Sequence, residues 1–202
     1  MKLQNLTIAV QKKGRLNDAS TAFLATLGIA AKPNGRKFIG ACKKTGIDVL
    51  FVRDDDIPQY VSSGVVDFGI VGKNVLAEKD VFTNNVKQLD FGVCRLVIAS
   101  PKNSSIKSVG DLEGTRVATS YPTLLKKYLE SKNIKASIVD LKGSVEIAPK
   151  LNLADAVCDL VQTGQTLEEN ELVQIETIME STAVLIESPI NNANKEKFLN
   201  LI

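Results

Sequence analysis

The sequence predicts an α/β fold of two lobes sharing one ligand cleft. Three observations carry this. Short apolar runs alternate with helix-spaced segments along the chain, the pattern of sheets covered by helices. The 202 residues suffice for one large domain or two lobes of about 100 residues each. No flexible linker, low-complexity stretch or internal repeat interrupts the alternation. Ligands of open α/β sheets sit at strand C-terminal ends, so the cleft is expected there.

The elements follow in order. Leu6–Val10 reads as a buried strand. Apolar residues at 16, 19, 23, 24 and 27 predict a helix over Leu16–Leu27, stopped by Gly28. Phe38–Cys42 and Ile47–Val52 are strands. In Arg53-Asp54-Asp55-Asp56-Ile57-Pro58 an Asp caps a helix with Pro58 in its first turn, ending at Gly64. Val65–Val71 is a strand, and Gly72 opens a short helix. Phe91–Ala99 is a long strand, Ser108–Asp111 a capped turn, and Thr115–Thr119 a strand. A helix over Thr123–Lys132 and a strand over Ala136–Leu141 come next. Val145–Leu151 reads as a short helix and Val157–Val161 as a strand. Strands Val173–Met179 and Thr182–Glu187 precede a helix over Asn192–Leu201.

Composition removes whole function classes. With 44% hydrophobic and 24% charged residues the chain can build a core and is not disordered. Its 25 basic and 23 acidic residues leave a net charge of +2, which argues against a nucleic-acid binder. No run approaches the ~18 apolar residues of a membrane span, and the N-terminus reads as a strand, not a signal peptide. Zero histidines exclude a Ser-His-Asp triad, a Cys-His pair and a His-ligated metal. Cys42, Cys94 and Cys158 lack metal spacing and are expected to be buried packing thiols in a reducing cytoplasm.

The strongest local signal is Asp159-Leu160-Val161-Gln162-Thr163-Gly164-Gln165-Thr166. A strand delivers the chain to a Thr-Gly-x-Thr turn that opens a helix. Free amides, two hydroxyls and a glycine allowing close approach suit a phosphate dianion. The alternative is a capping box, Thr166 as N-cap with Glu169 at N3, and both can hold together. Glu146, Asp155 and Asp159 would repel a phosphate directly. They make sense on ribose hydroxyls or, through water, on magnesium, or else as surface acids and caps. Lys12 and Arg15, directly after the first strand, could hold a polyphosphate. Arg36-Lys37 is a second basic pair, with solvated surface charge as the plain alternative. Arg53-Asp54-Asp55-Asp56 is read as helix capping and not as a metal cluster. No dinucleotide fingerprint or Walker A motif is present.

Several blocks carry a family resemblance in register: Ile8-Ala9-Val10-Gln11-Lys12-Lys13-Gly14-Arg15-Leu16, the Arg53–Pro58 segment, Gly64–Gly72, Ala118–Pro122, Gly143–Pro149 and Leu153–Leu167. Over about residues 6–187 the chain strongly resembles the catalytic chain of ATP phosphoribosyltransferases. The resemblance implies a fold like the type II periplasmic binding proteins. It puts residues 1–90 and 180–202 in lobe one and 91–179 in lobe two, with the active site in the inter-lobe cleft. It implies condensation of ATP with 5-phosphoribosyl 1-pyrophosphate to N1-(5-phosphoribosyl)-ATP and pyrophosphate, the first step of histidine biosynthesis, with Mg2+ on the donor's pyrophosphate. It assigns Thr163, Gly164, Gln165 and Thr166 to the donor's 5-phosphate, and Glu146, Asp155 and Asp159 to the ribose. Lys12, Arg15 and Arg36 serve the phosphates, and Asp67 with Gly69 lines the nucleotide side. Long members of the family carry a histidine-binding regulatory domain. This chain stops at Ile202 and so corresponds to the short form. It is expected in the cytoplasm as a homo-oligomer, partnered by a regulatory subunit resembling histidyl-tRNA synthetase. Some blocks, Gln11–Leu16 among them, look more like the long branch.

A solute-binding or effector-sensing module would use the same bilobal fold, and fold alone does not separate the two readings. The missing export signal and the Thr163–Thr166 turn favour the enzyme.

Overall fold

The computed structural model describes residues 6–32, 38–81 and 86–202. The chain runs through β1 (Leu6–Gln11), α1 (Arg15–Thr26), β2 (Ile39–Cys42), β3 (Ile47–Val52), α2 (Ile57–Ser62), β4 (Phe68–Gly72), α3 (Lys73–Lys79) and β5 (Val86–Gln88). It continues through β6 (Cys94–Pro101), β7 (Arg116–Thr119), α4 (Pro122–Ser131), β8 (Ser137–Asp140), β9 (Ala156–Val161), α5 (Gln165–Glu169) and β10 (Leu172–Ser181). Last come β11 (Ala183–Glu187) and α6 (Ala193–Leu199). Two compact units result, Met1–Gly92 with Thr182–Ile202, and Val93–Ser181.

The first unit holds a six-stranded sheet in the order β2-β3-β1-β4-β11-β5. β1 pairs parallel with β3 and β4, and β11 runs antiparallel between β4 and β5. Alternation along β1 sends Ile8 and Val10 to one face, with Leu24 of α1 and Phe198 of α6. Ala9 goes to the other face, with Ile57 and Val61 of α2 and Val75 of α3. Both faces are covered, so the strand reads as an unbroken apolar run.

Two local expectations are corrected in this unit. The strand expected over Val65–Val71 is Phe68–Gly72. Gly64 turns the chain at φ +75°, and Val65 stays 67% exposed before the sheet begins. The three aspartates do not cap α2. Asp54–Asp56 form a 3-10 turn of their own, and Asp56 takes the N-cap position without a side-chain capping bond. Burial and the neighbouring Asp55 push the Asp54 carboxyl up.

The second unit holds a five-stranded sheet in the order β10-β6-β9-β7-β8. β7 pairs parallel with β8 and β9, while β6 runs antiparallel to β9 and β10. Val157 and Val161 face a cluster with Val97, Val145 and Leu167, and Ala156 and Cys158 face another with Leu125 and Leu129 of α4. The strand expected from Phe91 starts at Cys94, because Phe91 packs into the first unit and Gly92 turns at φ +68°. The helix expected over Val145–Leu151 is only a 3-10 turn, Val145–Ile147. Ser108 and Asp111 form the capping box of the turn Val109–Leu112. Cys42 and Cys158 are buried, but Cys94 is only half-buried, so the expectation of three buried thiols fails there. Among the described residues no helix is long and apolar enough to cross a membrane.

Candidate functional site

Each unit presents one set of polar groups. In the first unit, β1 ends at Gln11 and the chain turns through Lys12-Lys13-Gly14 into α1. Gly14 takes φ +103° and ψ 178°, a conformation that is essentially glycine's alone. Its carbonyl accepts from Asn17 N–H at 2.9 Å, which closes the first turn of α1. The Lys12 amide donates to Val52 O at 2.7 Å, tying the loop to β3. The Lys12 ammonium then stands 4.4 Å from the centroid of the Phe38 ring. Lys12 and Lys13 line a concavity of about 930 Å³ together with Phe38, Arg53, Asp56 and Tyr60. Apolar floor and cationic rim suit a ligand that is both flat and anionic. The sequence did not single out Phe38 or Tyr60 for this face. Both looked like ordinary strand and helix residues, and only their exposure, 53% and 36%, reveals them. Of Arg15 the backbone alone is described, as the first residue of α1, and Arg36 lies outside the described residues.

Asp67 and Gly69 serve this unit's framework. One Asp67 oxygen accepts the Thr7 amide at 2.8 Å and the other accepts Asn192 Nδ2 at 2.8 Å. Gly69 is buried, and a Cβ there would stand 2.5 Å from Ile57 Cγ2 and 2.8 Å from Val61 Cγ2. Glycine lets α2 lie directly on β4. Gly69→Ala is expected to lose about 1–3 kcal/mol by overpacking, measured by urea unfolding, with substrate affinities unchanged. A variant as stable as wild type with altered affinity would return Gly69 to a ligand-lining role.

In the second unit, β9 carries the chain to Gln162, and Gly164 turns it at φ +90° into α5. A Cβ on Gly164 would meet nothing within 4 Å, so glycine is required by the backbone angle and not by space. Thr163, Gln165 and Thr166 are exposed. The expected capping box is absent. α5 starts at Gln165 with Gly164 as N-cap, and Thr166 lies inside it. Glu169 accepts instead from Gln165 Nε2 at 2.8 Å. The Thr163 hydroxyl sits 3.4 Å from the Gln165 amide, at the edge of bonding distance.

The three carboxylates do not form one group. Burial pushes the Asp159 carboxyl up to about 6, partly offset by the Leu160 amide and reinforced by Glu146. Glu146 lies in the 3-10 turn Val145–Ile147, and Asp159 lies within β9. Asp155 precedes the first residue of β9, roughly 13 Å along the strand from Asp159 at ~3.3 Å per residue. It is clasped by Arg116, with Nη2–Oδ1 at 2.8 Å and Nε–Oδ2 at 3.1 Å, and it also accepts the Arg116 amide at 2.8 Å. Those bonds hold its carboxyl below the usual range. Asp155 pins the start of β9 to β7. Among the described residues no group of three or more His, Cys, Asp or Glu is placed to hold a metal ion.

Comparison with known proteins adds four findings. The family described as HisG, ATP phosphoribosyltransferase, matches residues 53–202. An ATP phosphoribosyltransferase of Maricaulis maris (strain MCS10) is 45% identical over 187 residues, 90% of this chain and 64% of that protein. The chain thus spans about two-thirds of that relative's length, at 64%. A chain of the ATP phosphoribosyl transferase (HisG:HisZ) complex from Thermotoga maritima superposes with a TM-score of 0.80 at 30% identity, covering 96% of this chain and 94% of that one. The periplasmic aliphatic sulphonate binding protein SsuA from Escherichia coli gives 0.63 at 18% identity, over 96% of this chain and 65% of that one. At that identity the likeness speaks for the fold alone, the periplasmic-binding-protein type.

Proposed function

Because this chain belongs to the ATP phosphoribosyltransferase family, we propose that it condenses ATP with 5-phosphoribosyl 1-pyrophosphate to give N1-(5-phosphoribosyl)-ATP and pyrophosphate. The adenine N1 lone pair forms the new bond to the sugar C1. The C1–O bond breaks, and pyrophosphate leaves with its electron pair. N1 needs no strong base, which agrees with a chain that has no histidine. The protein's work is to orient two polyanions and to balance charge on the leaving group.

In this reading the exposed turn Thr163–Thr166 takes the donor's 5-phosphate through its amides and hydroxyls. Glu146 and Asp159 meet the ribose hydroxyls. Asp155 is left out, since Arg116 already occupies both its oxygens. Lys12, with Arg15 and Arg36, serves the polyphosphates, and Phe38 and Tyr60 offer flat apolar surface to a base. Mg2+ bound with the donor would supply charge neutralisation for the leaving pyrophosphate, and as a hard cation that keeps much of its water it would need few protein ligands. The product belongs to the first step of histidine biosynthesis, in the cytoplasm. The chain works as a homo-oligomer with a regulatory subunit resembling histidyl-tRNA synthetase, a pairing supported by its likeness to a chain of the HisG:HisZ complex.

The observation that carries the reading is the 45% identity sustained over 187 residues. Purified chain is incubated with ATP, the sugar donor and Mg2+, alone and with a candidate regulatory subunit, and phosphoribosyl-ATP is followed by chromatography. Formation of product in either mixture is expected, and its absence from both would sink the proposal.

A further inference from the structure

One strong cation in the second unit has no role so far. Arg95 lies in β6, opposite Val161 at the end of β9 on one side and Glu180 of β10 on the other. Side chains alternate along a strand, so Arg95 shares the face of Val97 and Ala99. That face packs Val157, Val161 and Leu167. Leu167 belongs to α5, so the chain leaving the Thr163–Thr166 turn folds back over the face that Arg95 occupies. Only Gln162 separates Val161, the cross-strand partner of Arg95, from Thr163.

Arg95 is half-buried, and one of its donors is unspent. Its Nε is sealed from solvent and has no hydrogen-bond partner among the described residues. Glu180 stands directly across the strand pair, yet none of the ion pairs among the described residues includes Arg95. A buried donor without an acceptor is unfavourable, and folded proteins keep few of them. A planar fork of five N–H groups matches the oxygens of a phosphate better than any other side chain does.

We propose that Arg95 is a substrate-binding residue that grips the terminal phosphate monoester of the sugar donor from the sheet side of the Thr163–Thr166 turn. This rests on the transferase reading above and deepens it. The turn supplies neutral amides and hydroxyls, and Arg95 supplies the positive charge that Glu146 and Asp159 would otherwise leave unbalanced.

The test is isothermal titration of wild type, Arg95→Gln and Arg95→Lys with ribose 5-phosphate, ribose and ATP, each variant first checked for an unchanged circular-dichroism melt. Arg95→Gln is expected to weaken ribose 5-phosphate roughly ten- to hundredfold while ATP affinity stays within about twofold. Arg95→Lys, which keeps a charge without the fork, falls between and carries the test if Arg95→Gln fails to fold. In turnover, KM for the donor rises and KM for ATP does not. Unchanged affinity for ribose 5-phosphate in both variants, equal loss for ATP, or wild type that binds ribose as well as ribose 5-phosphate overturns the proposal. Wild type that binds ribose 5-phosphate through Arg95 but makes no phosphoribosyl-ATP would sink the transferase reading and leave the contact standing.

Discussion

Lys195→Met is expected to destabilise the first unit by about 3–5 kcal/mol, the range for removing one partner of a buried ion pair. Lys195 is 4% exposed on α6. Its ammonium donates to Ser188 O at 2.7 Å, to Ser188 Oγ at 2.9 Å and to the Ile190 carbonyl, and it lies 3.6 Å from Glu187 Oε1. These bonds hold the end of β11 against α6. They also seat Phe198 on Phe68, with ring centroids 4.9 Å apart. Methionine keeps the chain length but leaves buried acceptors without their donor. Urea unfolding followed by circular dichroism measures the loss. Adding Glu187→Leu should recover only part of it, because the carbonyls stay unpaired. A loss below about 1 kcal/mol would mean that water replaces the ammonium.

The second large effect is a pH dependence at Asp159. Its carboxyl is pushed up to about 6 by burial, against an ordinary value of about 3.9. The folded chain therefore holds this proton more tightly than the unfolded chain. Folding takes up a proton between those two values, and stability from this group falls as pH rises through that window. Asparagine keeps the shape and abolishes the titration. Between about pH 4 and 7 the stability difference should move toward Asp159→Asn by about 2–3 kcal/mol. Paired urea titrations across that range measure it. Asp155 and Asp111, both held below their ordinary values, titrate lower and are common to the two proteins. A difference that stays flat with pH would place Asp159 in water.

The sequence made some parts of this molecule legible and hid others for physical reasons. β1 was readable because a strand covered on both faces reads as a continuous apolar run, and β3 and β9 keep enough of that run around Asp48 and Asp159 to be found. β5 was not, since its three residues are too short for a periodic signal. The Thr163–Thr166 turn was readable because glycine and threonine there have few other uses, although the helix it opens starts two residues earlier than a Thr166 cap would require. Lys195 sits in Ala-Asn-Lys-Glu-Lys-Phe-Leu, where any lysine passes for solvated. Only tertiary burial distinguishes it from Lys197. Arg95 is enclosed in an apolar strand whose partners come from residues 161 and 180, and no local pattern announces which face it takes. Asp155 and Asp159 look alike in sequence, but Asp155 lies just ahead of β9 in the grip of Arg116, while Asp159 lies inside the strand, where burial pushes its carboxyl up.

The insertion of β11 between β4 and β5 ties assembly to the order of translation. A ribosome that has reached residue 181 has already delivered every strand of the later sheet. The earlier sheet at that moment lacks the strand that joins β5 to the rest, so the half made first is the half completed last.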